Sequence, residues 1–269
     1  MLWWLAGVAT AGYGVVAALS FFYQRALIYP APAHTIEPRL GGATLEDIPG
    51  PEGTHVYALH SPARPGSPTL VHFHGNGEDL ATQLPLVTAL REAGIGVFAV
   101  EYPGYGLAKG ARLTEDSVYA AAETALAHLR TALGVPRDAT ILQGHSLGTG
   151  VAAEMARRGY GARLVLISPY TSMIDMAARL APFLPVRWLL QDRYETSRKA
   201  PSLALPALVI HGTDDELIPV SMGRRIAQLL PQSELVLVDG GHHADLFDVD
   251  PRLFAKIAAF AQGSRIGTP

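Results

Sequence analysis

The chain reads as an α/β fold, a mostly parallel central sheet with helices on both faces. Three observations carry this expectation. Short apolar runs alternate with helical segments along most of the chain, the pattern of βαβ units. A glycine-flanked turn within Ile141–Gly150 (I-L-Q-G-H-S-L-G-T-G) joins one apolar run to a helix. Two later runs end in loops that carry Asp and His, H-G-T-D-D-E-L-I-P and D-G-G-H-H-A-D-L-F.

The bulk composition narrows the possibilities. A chain of 269 residues is long enough for one large domain with a substantial core. Lys and Arg number 21 against 24 Asp and Glu, a formal net charge of −3, and no basic stripe is present. Nucleic acid is therefore not an expected partner. Hydrophobic residues reach 49% and charged ones only 17%, which points to a membrane-associated or deeply buried chain rather than disorder. There is no cysteine, so disulfides, thiolate catalysis and thiolate metal sites are excluded. Any nucleophile must be oxygen or nitrogen.

Taken in order, the first segment is Leu2–Tyr23, without a charged side chain. At roughly 22 residues it can cross a hydrocarbon core as a helix. Trp3, Trp4, Phe21, Phe22 and Tyr23 crowd its two ends like interfacial aromatic belts. A cleaved signal peptide would carry basic residues ahead of the apolar run, and the first charge here is Arg25. The expectation is an uncleaved single-pass anchor over residues 1–24; a helix docked on the domain itself is the alternative. Arg25 and Arg39 follow it, which leans toward a cytoplasmic catalytic domain. Residues 25–40, with prolines at 30, 32 and 38, read as an extended linker. Residues 41–269 form the folded domain.

Within it, Thr44–Asp47 and His55–Leu59 are expected strands joined by a turn at Gly50–Gly53, so this end of the sheet is antiparallel. Thr69–His74 is a buried strand, Gln83–Ala93 a helix and Gly96–Glu101 another strand. A helix runs over Thr114–Leu133, with Thr114 as N-cap, Glu115 and Asp116 in the first turn, and Gly134-Val135-Pro136 as its stop. Ala139–Leu142 is a strand and Val151–Arg158 a helix. Leu164–Ile167, Ala207–His211 and Glu234–Val238 are strands; Ser221–Leu230 and Pro251–Gln262 are helices. Met173–Leu205 breaks the alternation with apolar residues set between prolines, and reads as a small cap over the strand ends.

Strand, tight turn and helix around G-H-S-L-G are the setting of a nucleophile elbow. Gly144 and Gly148 lack a Cβ, so strand and helix can approach closely around a strained Ser146. The Leu147 amide then lies at a helix N-terminus, where free donors and the dipole favour a developing oxyanion. A serine nucleophile needs a base, and the base an orienting acid. The two Asp- and His-bearing loops leave carboxyl ends of strands, the edge where open α/β sheets bind ligands. Asp214 and Asp215 are adjacent, as are His242 and His243, and spacing alone does not choose within either pair.

A second oxyanion donor is expected in the loop after Thr69–His74, H-F-H-G-N-G, with the Asn76 N–H as candidate. His72 and His74 share one face of that strand, but no carboxylate or third His follows at a familiar ligand spacing, so neither metal nor cofactor is expected. His74 reads instead as a structural hydrogen-bonding group beneath the hole. His145 lies beside the nucleophile and cannot face its Oγ. Asp175 is a lower-ranked acid, and Ser168 lacks flanking glycines. The loop Y-P-G-Y-G at 102–106 is expected to line the pocket.

Further pieces stand in the same order: Q-R-A-L-I-Y-P, E-Y-P-G-Y-G, S-P-Y-T-S-M and P-F-L-P-V-R-W-L-L. With the elbow and the two acid and histidine loops, they span nearly the whole chain. Together they resemble the α/β-hydrolase superfamily. More narrowly they resemble its small, N-terminally membrane-anchored serine hydrolases, which include protein depalmitoylases and bud-emergence-type homologues. The resemblance implies Ser146, Asp215 and His243 as catalytic residues, through G-x-x-D-x-x-(V/I)-P and through G-x-G-H-N-D-L aligned from its Asp-Leu end. It implies Asn76 and Leu147 as oxyanion donors. His242, where the family carries Gly, departs from the pattern. The implied function is hydrolysis of acyl esters or thioesters, with a small-molecule or lipid-like acyl substrate. A peptidase or perhydrolase on the same fold, and an inactive membrane-tethered binding module, are the alternatives.

Overall fold

The computed structural model describes residues 1–32, 42–50 and 53–263. Arg39, the end of the expected linker and the centre of the Gly50–Gly53 turn lie outside the described residues.

Eight strands form one sheet: β1 (Thr44–Pro49), β2 (His55–Ser61), β3 (Thr69–Phe73), β4 (Gly96–Val100), β5 (Thr140–His145), β6 (Arg163–Ile167), β7 (Ala207–Gly212) and β8 (Ser233–Val238). Their spatial order is β1-β2-β4-β3-β5-β6-β7-β8. The β1–β2 and β2–β4 pairs are antiparallel and the rest parallel. Strands β3 and β4 are buried along their whole length, as expected of strands covered on both faces.

Alternate side chains of these strands feed two cores. Val71, Phe73, Leu142 and Val209 pack with α3 (Glu115–Thr131), α4 (Leu147–Arg157) and α8 (Val220–Leu229). Leu70, Ile141, Val165 and Leu208 pack with α2 (Leu84–Glu92) and α10 (Leu253–Ala261). The period-2 alternation of a strand divides its residues between the two layers. Helix α3 starts with a reciprocal cap in which Thr114 Oγ1 accepts from the Ser117 amide and Ser117 Oγ accepts from the Thr114 amide. Such a cap contributes about 1 kcal/mol.

Three boundaries, one at α1 and two at the elbow, differ from the sequence expectation for identifiable reasons. Helix α1 (Leu2–Ile28) continues past the apolar segment, so residues 25–28, read as linker, are helical. Gln24 and Arg25 find partners on the cap: Gln24 Nε2 donates to the Leu189 carbonyl at 3.1 Å, and Arg25 Nε to Asp192 Oδ2 at 2.9 Å. At the elbow, β5 runs on to His145 because its register with β3 and β6 continues to Gly144 and His145. Helix α4 starts at Leu147 rather than Val151, directly after the turn. The weak helix propensity of Gly148 and Gly150 is overridden by packing. A Cβ on Gly148 would overlap the Phe73 carbonyl oxygen, and one on Gly144 would overlap the Gly148 carbonyl.

The interval from Met173 to Leu205 holds three short helices, α5 (Met173–Leu180), α6 (Val186–Leu189) and α7 (Thr196–Lys199). A further short helix, α9 (Leu246–Val249), precedes α10.

Gly148→Ala forces strand and helix apart at the elbow. The expected loss is about 1–3 kcal/mol of stability, read as a melting temperature lowered by several degrees. An unchanged melting temperature would show that α4 does not rest on β3 as described.

Candidate active site

Ser146 sits between the last residue of β5 and the first of α4, with φ 50° and ψ −116°. A positive φ on a residue with a Cβ costs on the order of 1–3 kcal/mol and persists only where surroundings over-determine it. Here the Ser146 amide donates to the Ile167 carbonyl of β6 at 2.9 Å, and its own carbonyl accepts from the Thr149 amide and Oγ1. The turn is thereby tied to the neighbouring strand and to the helix it starts.

Two loops at the same edge of the sheet reach this serine. The loop after β8 brings His243 Nε2 to 3.0 Å from Ser146 Oγ. The loop after β7 brings Asp215 Oδ2 to 2.8 Å from His243 Nδ1. A carboxylate only accepts, so Nδ1 carries the proton and Nε2 is left to accept from the serine hydroxyl. Asp215 Oδ1 accepts from the amides of Leu217 and Ile218 at 3.0 and 2.7 Å. His211 Nε2 lies 3.4 Å from Asp215 Oδ2 and donates to the Ile218 carbonyl. Burial alone would raise the Asp215 carboxyl. Hydrogen bonds from His211, His243 and the Ile218 amide outweigh it and hold the group well below the usual carboxylate range.

The structure separates the members of each adjacent pair. Asp214 is exposed and accepts from Thr213 Oγ1. His242 is exposed and pairs with Glu216 at 3.1 Å. Asp175 accepts from Thr171 Oγ1 at the start of α5. Ser168 is buried, and its Oγ has no hydrogen-bond partner among the described residues.

Asn76 and Leu147 line the same cavity as Ser146. The Asn76 side chain donates to the Ile28 carbonyl at 3.3 Å, which ties this loop to the end of α1. His74 lies beneath it, its ring bonded to Glu101 Oε1 at 3.1 Å and to the Gly75 carbonyl at 2.8 Å. The Y-P-G-Y-G loop corrects an expectation. Tyr102 and Tyr105 do not line the cavity; they are buried against the His74 ring, and the Tyr102 hydroxyl donates to the His74 carbonyl. Two tyrosine rings thus make the floor of the loop rather than a wall of the pocket. His72 bonds Gln143 at 2.9 Å, and burial pushes its ring down to about 3. Among the described residues no three His, Asp or Glu side chains converge as a metal centre.

Sequence reasoning missed Glu78, and it set His145 aside as a neighbour of the nucleophile without a partner. Glu78 Oε2 accepts from the Gly75 amide at 2.9 Å, and its Oε1 lies 2.8 Å from His145 Nδ1. The His145 ring in turn stacks on His243, with centroids 5.5 Å apart and planes 26° from parallel. Glu78 and His145 therefore link the Asn76 loop to the His243 ring. Burial opposes charge on both, but their attraction wins: Glu78 is held well below its usual range and His145 is raised.

The cavity over Ser146 has a volume of about 270 Å³. Its walls are almost wholly apolar, with Met173, Met176, Leu184 and Leu189 on the cap side and Leu27 and Ile28 on α1.

Comparisons agree with this architecture. The family described as serine aminopeptidase, S33, matches residues 66–197, and the family described as alpha/beta hydrolase fold matches residues 186–249. An uncharacterized protein of Mycobacterium tuberculosis, Rv2307c, is 32% identical over 253 residues, which cover 91% of this chain and 89% of that protein. The chain belongs to the α/β-hydrolase superfamily. The alpha/beta hydrolase domain-containing protein aho-3 of Caenorhabditis elegans is 36% identical over 180 residues; the match covers 66% of this chain and about half, 53%, of that relative. Among solved structures, the Pyrococcus furiosus esterase Pf2001 superposes with a TM-score of 0.69 at 18% identity, covering 86% of this chain and 97% of that one. A Paleococcus ferrophilus monoacylglycerol lipase superposes at 0.58 with 20% identity, over 77% and 98% of the two chains. These likenesses are of fold. Along the chain Ser146, Asp215 and His243 follow one another in the order nucleophile, acid, histidine that is usual for α/β hydrolases.

The Glu78–His145 pair sets a pH dependence with a definite sign. Glu78, depressed, contributes fully above its ordinary value of 4.5 and loses that contribution as pH falls toward its folded value. His145, raised, contributes fully below its ordinary 6.5 and loses it as pH rises through its folded value. The stability advantage of the native chain over Glu78→Gln should therefore peak between those two values and shrink on either side. Thermal denaturation across the range checks this, and a gap independent of pH would rule out the ion pair.

Proposed function

We propose that this α/β hydrolase cleaves acyl esters or thioesters through an acyl-enzyme formed on Ser146, with His243 as general base and acid, Asp215 as its orienting acid, and Asn76 and Leu147 amides as oxyanion donors. The observation that supports this best is the unbroken run from Ser146 Oγ to His243 to Asp215, at 3.0 and 2.8 Å, which begins at a serine lining an apolar cavity.

In the first half-reaction Ser146 Oγ attacks the carbonyl carbon while its proton passes to His243 Nε2. The resulting imidazolium is stabilised by Asp215, which the Leu217 and Ile218 amides hold in its ionised form. The carbonyl oxygen becomes an oxyanion against the amides at 76 and 147. As the tetrahedral species collapses, Nε2 returns the proton to the leaving alcohol or thiol. Water, deprotonated by the same nitrogen, then releases the acid and restores the Ser146 hydroxyl.

The composition of the cavity bears on the peptidase reading. An aminopeptidase holds a free ammonium group, which calls for a nearby carboxylate. No Asp or Glu is among the described residues that line the cavity, whereas thioethers and leucines are abundant there. That lining suits a fatty acyl group. Helix α1 is long and apolar enough to cross a membrane, with a mean hydropathy of 1.7 over its most apolar stretch, and we read it as a single-pass anchor.

Ser146→Ala should abolish fluorophosphonate labelling and lower p-nitrophenyl ester turnover by at least about 10³-fold. Asp215→Asn and His243→Ala should fall similarly, while Asp214→Asn and His242→Ala stay within a few-fold of the native rate. Undiminished labelling of Ser146→Ala, or loss of activity in the second pair instead of the first, would overturn the assignment.

A further inference from the structure

We infer that the edge of the cap is itself immersed in the membrane leaflet that holds α1, so that the cavity takes acyl chains from within that leaflet. The inference deepens the proposed acyl hydrolase and rests on it for the substrate class, though not for the immersion itself.

Helix α1 is fastened to the cap along more than half its length. Tyr13 Oη donates to the Phe183 carbonyl at 3.0 Å, and the Gln191 amide donates to Gln24 Oε1 at 2.7 Å. Arg25 pairs with Asp192, and the Tyr29 and Tyr194 hydroxyls share a hydrogen bond at 3.0 Å. The first of these contacts fixes a depth. Phe22 marks the aromatic end of the apolar segment, and Tyr13 lies nine residues, or about 14 Å, further along the helix. Half of a hydrocarbon core of about 30 Å is the thickness of one leaflet. If α1 spans a bilayer, the cap residues at the level of Tyr13 lie inside the leaflet rather than on its surface.

The side chains there suit that position. Phe183 is 63% exposed and Trp188 86%, with the exposed Leu180 beside them on α5. Large apolar groups in such a cluster call for a partner. Helix α1 presents the same character, with Leu5, Val8, Val15 and Leu19 exposed. It is apolar on every side, as a helix surrounded by lipid is. The two surfaces are continuous at the Tyr13–Phe183 contact, and one occupant, the acyl region of the bilayer, covers both. The cavity itself lies between these elements: Ser20, Gln24 and Leu27 of α1 face Leu180, Leu184 and Leu189 of the cap. The helix that sits in lipid is therefore also a wall of the chamber above Ser146. A long-chain acyl ester held in the leaflet can enter between α1 and the cap without its chain crossing water.

The test uses the full chain in phosphatidylcholine nanodiscs. Trp3→Phe and Trp4→Phe together leave Trp188 as the only tryptophan. Lipids brominated in the part of the acyl chain nearest the headgroup, the level set by the Gln24–Leu189 contact, should then remove at least about half of its emission. In parallel, Phe183→Glu with Trp188→Glu, neither side chain lining the cavity, should cut hydrolysis of a long-chain monoacyl ester embedded in vesicles by at least about tenfold. Turnover of a water-soluble short-chain ester should stay within about twofold of native. Trp188 emission untouched by the brominated lipids overturns the inference, as does equal loss on both esters. Shielding of Trp188 from lipid by a second copy of the chain, seen as a dimer in the nanodisc, overturns it too. Quenching does not depend on turnover, so quenching in a chain that hydrolyses neither ester would leave the immersion standing and sink the hydrolase reading instead.

Discussion

Ser146 occupies a backbone conformation that residues with a Cβ avoid, and the arrangement around it leaves no room to relax. The turn is pinned on three sides. Gly148 lies against the Phe73 carbonyl at the end of β3, Gly144 lies against Gly148, and the Ser146 amide is bonded to β6. A glycine-sized gap between strand and helix is what places the hydroxyl at the rim of the sheet. Because β3, β5 and β6 are neighbours in one parallel sheet, the loops after β3, β7 and β8 end at the same rim. The site is then a consequence of strand direction: six parallel strands deliver six carboxyl ends to one side.

Charge at that rim is arranged in two layers. Asp215 keeps its negative charge despite burial because two amides and the His243 ring donate to it, with the His211 ring 3.4 Å away. The Glu78–His145 pair stands on the other side of the His243 ring and reaches it by stacking rather than by a hydrogen bond from Glu78. The His243 ring therefore has its edge set by Asp215 and Ser146 and its face set by His145. An imidazole held by edge and face has little freedom to rotate away from the serine, which is what a proton shuttle between fixed oxygens requires. Glu78 also receives the Gly75 amide, so the same carboxylate that braces the histidine shapes the loop that carries Asn76.

Much of this was legible in the sequence wherever the information is local. The elbow, the Thr114 cap, the antiparallel end of the sheet and the order of the serine, acid and histidine loops all follow from neighbouring residues and the period of the pattern. The choice of Asp215 and His243 needed the family pattern, since Asp214 and His242 carry the same chemistry one residue away; in the folded chain they differ by exposure, which depends on the direction of each loop. What could not be read is pairing over distance. Glu78 and His145 are 67 residues apart, and neither has a local signature that names the other. Tyr102 and Tyr105 looked like pocket residues because their loop ends a strand at the right rim, but aromatic rings found a buried partner in His74.

The same limit applies to the N-terminal segment, with more consequence. Read as composition, Leu2–Tyr23 is a span and Arg25 is a charge that orients it. In the folded chain Arg25 is paired with Asp192, and helix α1 continues for as long as Gln24 and Arg25 have partners on the cap. A helix held only by lipid can tilt and rotate freely. One held by polar contacts at Tyr13, Gln24, Arg25 and Tyr29 cannot, and its inward residues become part of the cavity. The Ile28 carbonyl at the end of that helix accepts from Asn76, the residue after Gly75, whose amide donates to Glu78. Helix α1, the cap and the loop that carries Asn76 are thus joined through short contacts, and a shift in the seating of α1 would be felt at the rim where Ser146 stands.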